Sequence, residues 1–359
     1  MSGHTLTPSR PEGHIEDFIA GLPKAELHVH HVGSASPRIV AQLAARHPGT
    51  VPADEAALAD FFVFTDFPHF IRTYLSVVDL VRTAEDVRLL TYEVARDMAA
   101  SQIRYAELTV TPSISVSDQL PLPAFLEAIE DARVSAARDF DVELAWIFDI
   151  PADFGLPAAE VTASAALDQD VPGLVGFGIG GSEIGFPRSM FRDQFDRTRA
   201  AGLHSVVHAG ETSGPETVWD AVLNLGAERI EHGVTSLADP RLVEHLVEHR
   251  IVLDVCPTSN VALGVVPDLD AHPLPALVAA GLLVTINTDD PPMFGTDLNR
   301  EYGIAARLLD LDADGVADLA RAAVDASFAP ATSKAALREE ISAYVARSGS
   351  TSAAGASGR

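Results

Sequence analysis

Short apolar runs rich in β-branched residues alternate, along most of the chain, with longer stretches whose apolar positions recur at helical spacing. The runs are "AELHVHH" (25–31), "IRYAELTV" (103–110), "VELAWIFDI" (142–150) and "LVGFGIGG" (174–181). They continue with "HSVVHAG" (204–210), "RIEHG" (229–233), "IVLDVCPTSN" (251–260) and "LVTINTDD" (283–290). Between them lie patterns such as "TAEDVRLLTYEVARDMAAS", where Thr83 suits an N-cap and Glu85 and Asp86 bring negative charge to the first helical turn. Eight strands alternating with helices, the strands parallel and buried, predict an α/β fold of the (β/α)8 barrel type.

No linker divides this pattern, so a single barrel domain is expected over residues 1–345. The first 14 residues and the small-residue tail "ARSGSTSAAGASGR" (346–359) are expected to lack fixed structure. The first crossover, residues 32–82, is much longer than the others. Its aromatic segment "FFVFTDFPHFIRTYL" is expected to form a helical lid over the barrel mouth.

Composition narrows the function. Nearly half of the 359 residues are hydrophobic, enough for a large core, yet no apolar run reaches the ~18–20 residues needed to span a bilayer. The start has neither a basic nor an apolar signal region, so a cytoplasmic, soluble protein without a membrane partner is expected. The net charge of −26 argues against a nucleic-acid partner, because phosphate binding needs lysine and arginine. The single cysteine, Cys256, excludes an intramolecular disulfide and a cysteine-cluster metal site. The oligomeric state is not legible.

Enzymes of the barrel class carry their chemistry at the C-terminal ends of the strands. Here His28, His30, His208, Glu211, His232, Asp289 and Asp290 all fall at such ends. His28 and His30 are two apart on one strand and point together into the barrel, whereas His31 faces the helices with Val29. With His208 and Asp289 they supply three imidazoles and a carboxylate, a set suited to one Zn²⁺ with room for a water. Barrel hydrolases with two metals often bridge them with a carboxylated lysine after strand 4. Neither lysine of this chain, Lys24 or Lys334, is near "GGSEIG", so one metal is expected, although Glu183 could in principle bridge.

Such an ion makes hydroxide available near neutral pH. Glu211, three residues beyond His208, could protonate a ring nitrogen, or it could simply be a first-turn helix carboxylate. His232 could orient or deprotonate the water, or be a satisfied interior histidine. Asp290 projects differently from Asp289 and is free to bond a substrate. The glycines of "GIGG" allow a ligand close to backbone N–H groups.

The blocks "PKAELHVHHVGS", "GGSE", "HAGET", "RIEHG", "VCPTSN" and "INTDDPPMF" resemble, in that order, the signatures of the adenosine deaminase family, from about residue 20 to about residue 345. The resemblance implies a barrel holding one zinc per subunit and hydrolytic removal of a purine 6-amino group. It implies His28, His30, His208 and Asp289 as zinc ligands, Glu211 as proton donor to N1 and His232 as the group that assists the water. Gly181 would offer its backbone N–H to the purine, and Asp290 would meet N7. The partner implied is a small-molecule purine nucleoside.

Val32 departs from the acidic residue that adenosine-specific members carry to hold the sugar 5′-hydroxyl. Valine makes no such bond, which points to a larger, less polar 5′ group. "HHVGSASPRIV" resembles the branch of the family that deaminates 6-amino-6-deoxyfutalosine on a route to menaquinone; adenosine or adenine deamination is the alternative. That substrate carries a carboxyphenyl ketone. Arg72 in the lid is expected to pair with its carboxylate. Asp149 and Glu183 are candidates for the ribose hydroxyls or the ketone side.

Overall fold

The eight strands follow one another round a barrel in chain order, all parallel: β1 (Lys24–His30), β2 (Ile103–Val110), β3 (Glu143–Pro151), β4 (Leu174–Gly180), β5 (His204–Ala209), β6 (Arg229–His232), β7 (Val252–Val255) and β8 (Leu283–Ile286). The computed structural model describes residues 13–356, and side chains over residues 15–348. The seam between β8 and β1 is closed just beyond β8. Backbone bonds run from His30 N to Asp289 O (2.9 Å) and from Asp289 N to His28 O (3.1 Å), and the Asn287 amide oxygen accepts from Leu27 N at 2.9 Å. The bridging residue, Asp289, is therefore tied directly to the histidine strand.

Helices cover the outside because each strand buries its outward residues: Leu27, Val29, Leu108, Ile230 and Leu253 are fully buried. Thr83 caps the helix Ala84–Ala100 in a reciprocal box with Asp86, as its position predicts. His31 faces that helix and meets Thr91 at 2.8 Å, on the opposite side of β1 from its two neighbours.

Two strands stop well short of the ends of their apolar runs. Pro257 has no N–H to give a neighbouring strand and sits comfortably in a first helical turn. So "PTSNVA" is a helix, Pro257–Ala262, and β7 ends at Val255. β8 likewise ends at Ile286, and "NTDD" forms the loop at the mouth.

Below that mouth the barrel interior is ionic. The fully buried Arg229 guanidinium pairs with Glu107 (2.5 Å) and Asp254 (2.8 Å), and donates to Leu27 O at 3.2 Å. A charge this deep is tolerated because its fork is matched by two carboxylates.

Residues 32–82 contain the helices Pro37–Arg46, Glu55–Phe61 and Phe67–Val78. Phe64 and Phe70 pack against Phe294, ring centroids 5.9 and 5.1 Å away, in the loop that follows Asp290. The aromatic segment is thus anchored beside the C-terminal end of β8. At the other end of the chain, the segment expected to be unordered from 346 continues a helix that begins at Ala331 and runs to Ala356. Residues 1–12 and 357–359 lie outside the described residues. Among the described residues, no helix is long and apolar enough to cross a membrane.

Candidate active site

His28 and His30 project from the end of β1, His208 from β5 and Asp289 from the loop after β8. One potential ligand atom from each lies within 4.8 Å of all the others. Asp289 Oδ1 is 3.2 Å from His30 Nε2 and 3.6 Å from His28 Nε2. Three of the four groups are also held from behind. His28 Nδ1 is 3.2 Å from Asp254 O and 3.3 Å from Cys256 Sγ. His208 Nδ1 is 3.1 Å from Ile179 O and 2.5 Å from Glu231 Oε2, and Ser259 donates to Asp289 Oδ2 at 2.6 Å. Such outer partners fix which ring nitrogen is free to face an ion.

The donor set suits a divalent cation. Burial pushes His28 and His208 down to about 3, which keeps both imidazoles neutral and able to act as ligands. His28 Nε2 is buried and has no hydrogen-bond partner. Burial opposes the charged form of His30 too, but Asp290 and then Asp289 outweigh it and raise it to about 10. Asp289 is held well below the usual carboxylate range, against burial, by its bond to His30 and by the surrounding imidazoles. The pocket is anionic enough to attract positive charge, and its neutral nitrogens converge on one point.

Glu211 and His232 reach this point from β5 and β6. Strand alternation aims Arg229 and Glu231 into the barrel and Ile230 outward, so a regular continuation would send His232 outward as well. Instead His232 has φ 69°, and Asp289 has φ 68°. Left-handed backbone costs a non-glycine residue roughly 1–2 kcal/mol, and here it turns both side chains toward the mouth. His232 Nε2 then lies 3.5 Å from Glu211 Oε1 and 3.9 Å from Asp289 Oδ2. Burial, followed by the charges of Asp289 and Glu183, drives the Glu211 carboxyl well above its ordinary range, which favours its protonated form.

The turn that carries Glu211 is built by Glu183. Its carboxylate accepts from the backbone N–H groups of Gly210, Glu211 and Thr212, each at 2.8 Å, and from Ser213 Oγ at 2.9 Å. Gly210 has φ 69°, and a Cβ there would stand 2.6 Å from Val218 and 2.8 Å from Thr235, so the turn requires glycine. These bonds occupy the acceptors of Glu183, so its carboxylate sits on the loop after β5 and not, as expected, toward the ribose or ketone side of a substrate. Arg188, fully buried, completes the support by donating to His208 O (2.9 Å), Ser182 O (3.2 Å) and Gly181 O (3.3 Å).

A stability consequence follows. Burial alone would raise Glu183, but the Thr212 amide, Arg188 and the remaining donors hold it below the usual value near 4.5. A depressed folded pKa contributes stability above the unfolded value, which is lost as pH falls through the folded one. Glu183→Gln should therefore lower Tm at pH 7, by about 2–4 kcal/mol of stability, and flatten the loss that sets in as pH falls below about 4.5. Thermal melts at several pH values check this; parallel curves for both proteins would refute it.

Asp290 is buried, and its Oδ1 has no partner. It lies against Gly33. A Cβ on Gly33 would come within 1.5 Å of Asp290 Oδ1 and 2.6 Å of its Cγ, so only glycine admits this carboxyl. Val32, one residue before, is buried and apolar. Asp149 is buried beside His30, accepts from Thr111 Oγ1 at 2.5 Å and is raised by burial to about 6. Gly181 opens the loop after β4, and the adjoining Ser182 is pinned to Asp153 through its N–H (2.8 Å) and hydroxyl (2.5 Å).

Arg72 is not brought to the cluster. It is exposed on the helix Phe67–Val78, and Tyr74, two residues on and so about 200° round the helix, takes the inner side. Ionisation of the Tyr74 hydroxyl is opposed by burial and then by Asp290, Asp149 and Asp289, which sets it near those carboxylates. Sequence reasoning passed over Tyr74, Glu231, Arg188, Ser259, Asn260 and His272. Helical spacing would have marked Tyr74 as the alternative to Arg72. The others act through partners far away in the chain and leave no local signal.

Residues 23–344 match the family profile described as adenosine deaminase. The aminodeoxyfutalosine deaminase of Streptomyces avermitilis is 62% identical over 335 residues, covering 92% of this chain and 94% of that protein. The protein of the same name from Streptomyces coelicolor is 60% identical over 349 residues, covering 96% and 90%. Among solved structures, the adenine deaminase of Arthrobacter aurescens superposes with a TM-score of 0.85 at 31% identity, covering 90% of this chain and 99% of that one.

Proposed function

This chain belongs to the adenosine deaminase family, and from that premise we propose that it hydrolyses the 6-amino group of 6-amino-6-deoxyfutalosine, giving futalosine and ammonia on a route to menaquinone. The observation that carries the reaction class is a buried Glu211, its carboxyl pushed above its ordinary range by burial, beside a convergent set of three imidazoles and a carboxylate. The substrate rests on the relatives at 60–62% identity and on the apolar Val32 beside the Gly33–Asp290 contact.

His28, His30, His208 and Asp289 would hold one zinc ion per subunit. Bound there, zinc supplies the Lewis acidity that makes water a nucleophile at neutral pH. The chain's own residues do the rest. Glu211 donates its proton to purine N1 as water adds to C6, and takes up one proton of that water. It then donates to the 6-amino nitrogen, which departs as ammonia with the C–N electron pair, and recovers the hydroxyl proton as the C6 carbonyl forms. One carboxyl thus shuttles both protons and ends as it began. Asp290 bonds N7, the Gly181 N–H binds the purine, and Asp149 serves the ribose hydroxyls. The aromatic segment around Phe64, Phe70 and Tyr74 covers the 5′ extension. The setting proposed is the cytoplasm.

Absorbance assays with 6-amino-6-deoxyfutalosine, adenosine and adenine test the substrate. We expect kcat/KM for the first to exceed the others by about 100-fold or more, because adenosine places an unmatched hydroxyl in an apolar pocket and adenine leaves that pocket unfilled. A preference for adenosine or adenine would overturn the substrate and keep the reaction.

A further inference from the structure

We infer that His232 is locked as the tautomer with its proton on Nε2, by a hydrogen-bond chain through Asn260 and His272, and acts as a fixed donor to the attacking oxygen and not as a base. The chain starts at a backbone amide, whose polarity is beyond question. Leu274 N–H donates to His272 Nδ1 at 3.1 Å. That nitrogen therefore bears no proton, and neutral His272 carries its proton on Nε2. His272 Nε2 lies 3.1 Å from Asn260 Oδ1, so it donates there. The orientation of the Asn260 amide follows, since the reverse would set two donors face to face. Its Nδ2 is then the atom directed at His232 Nδ1, 3.2 Å away. An N–H facing that nitrogen makes it an acceptor, and the remaining proton of neutral His232 stands on Nε2.

All three side chains are buried: Asn260 is 0%, His232 1% and His272 4% exposed. Water therefore offers no alternative partners, and reversing one link would strand every later one. Nε2 is the atom that faces Glu211 and Asp289. An Nε2–H there bonds negative charge developing on the oxygen that attacks C6, and it has no free lone pair to take a proton. Glu211 is left as the proton carrier. Asn260 and His272 are positioning residues: neither faces the reacting atoms, and both act through the ring of His232.

The catalytic part rests on the deamination proposed above, but the tautomer does not, so a spectrum separates the two. In protein carrying ¹⁵N-histidine, the His232 resonances are assigned by their loss in His232→Gln. We expect Nδ1 at the acceptor-type shift and Nε2 at the proton-bearing shift, in metal-free and zinc-loaded protein alike. Asn260→Asp presents oxygens to both rings and should move the proton to Nδ1, exchanging the two shifts. It should also lower kcat about 100-fold with KM nearly constant, the usual scale for losing one positioned donor. His272→Gln keeps an N–H for Asn260 Oδ1 and should retain most of kcat, while His272→Leu should not. A proton-bearing Nδ1 in the unsubstituted protein would overturn the inference, even if Asn260→Asp failed to fold. So would a folded Asn260→Asp enzyme with unchanged kcat.

Discussion

Glu211→Gln should lower kcat on the preferred purine by about 10³–10⁴-fold while KM changes only a few-fold, the upper range for a positioned general acid. Glutamine has the same shape and keeps a hydrogen-bond donor near N1, so substrate binding is largely retained. It has no proton to give, and every proton transfer assigned to Glu211 fails with it. The backbone of the turn is held by Glu183 through its bonds to Gly210, Glu211 and Thr212, not by the Glu211 side chain. The substitution should therefore leave Tm and metal content unchanged. Steady-state kinetics, a thermal melt and elemental analysis of one preparation make the test. A variant that keeps more than a tenth of kcat would transfer the acid role to another group. A variant that lost its metal would show Glu211 acting in binding instead.

Removing the ion with a chelator should abolish turnover, by about 10³-fold or more, and zinc should restore it; the metal-dependent lowering of the pKa of water, from 15.7 to about 7, sets the scale. The same experiment has a structural readout. A ligand that binds only the folded state adds stability by mass action, about 4 kcal/mol at 1,000 times its Kd. For a domain of this size that corresponds to roughly 6–10 °C in Tm. The rise should vanish in His28→Ala, because that imidazole presents a buried, unpartnered Nε2 to the cluster. Full activity after exhaustive chelation, with elemental analysis showing no metal, would refute metal dependence outright.

These predictions draw on residues of two kinds. His28 and His30 could be read from their spacing on one strand, and His208, Glu211 and Asp289 from their places at strand ends. Asp290 was legible as the neighbour that a ligand leaves free. Glu183 illustrates the limit. Its place after strand 4 put it near the mouth, but whether its carboxylate faced a ligand or a loop depended on a turn 27–30 residues away. Arg72 shows the same limit within one helix: two positions decide between solvent and the buried carboxylates, and the aromatic anchoring to Phe294 selects Tyr74.

The order of strands and helices, the barrel, and which residues stand at strand ends were determined by the sequence alone, because period-two and helical patterns are local and repeat along the chain. Only the tertiary structure decided which way those residues turn and what holds them. The left-handed backbone at His232 reverses the direction that alternation predicts. The supports at Glu231, Ser259, Asn260 and His272 are set by contacts between different strands and loops. Hydrogen bonds are short-ranged and directional, so a proton's position on a ring depends on whichever atom closure of the barrel brings within about 3 Å.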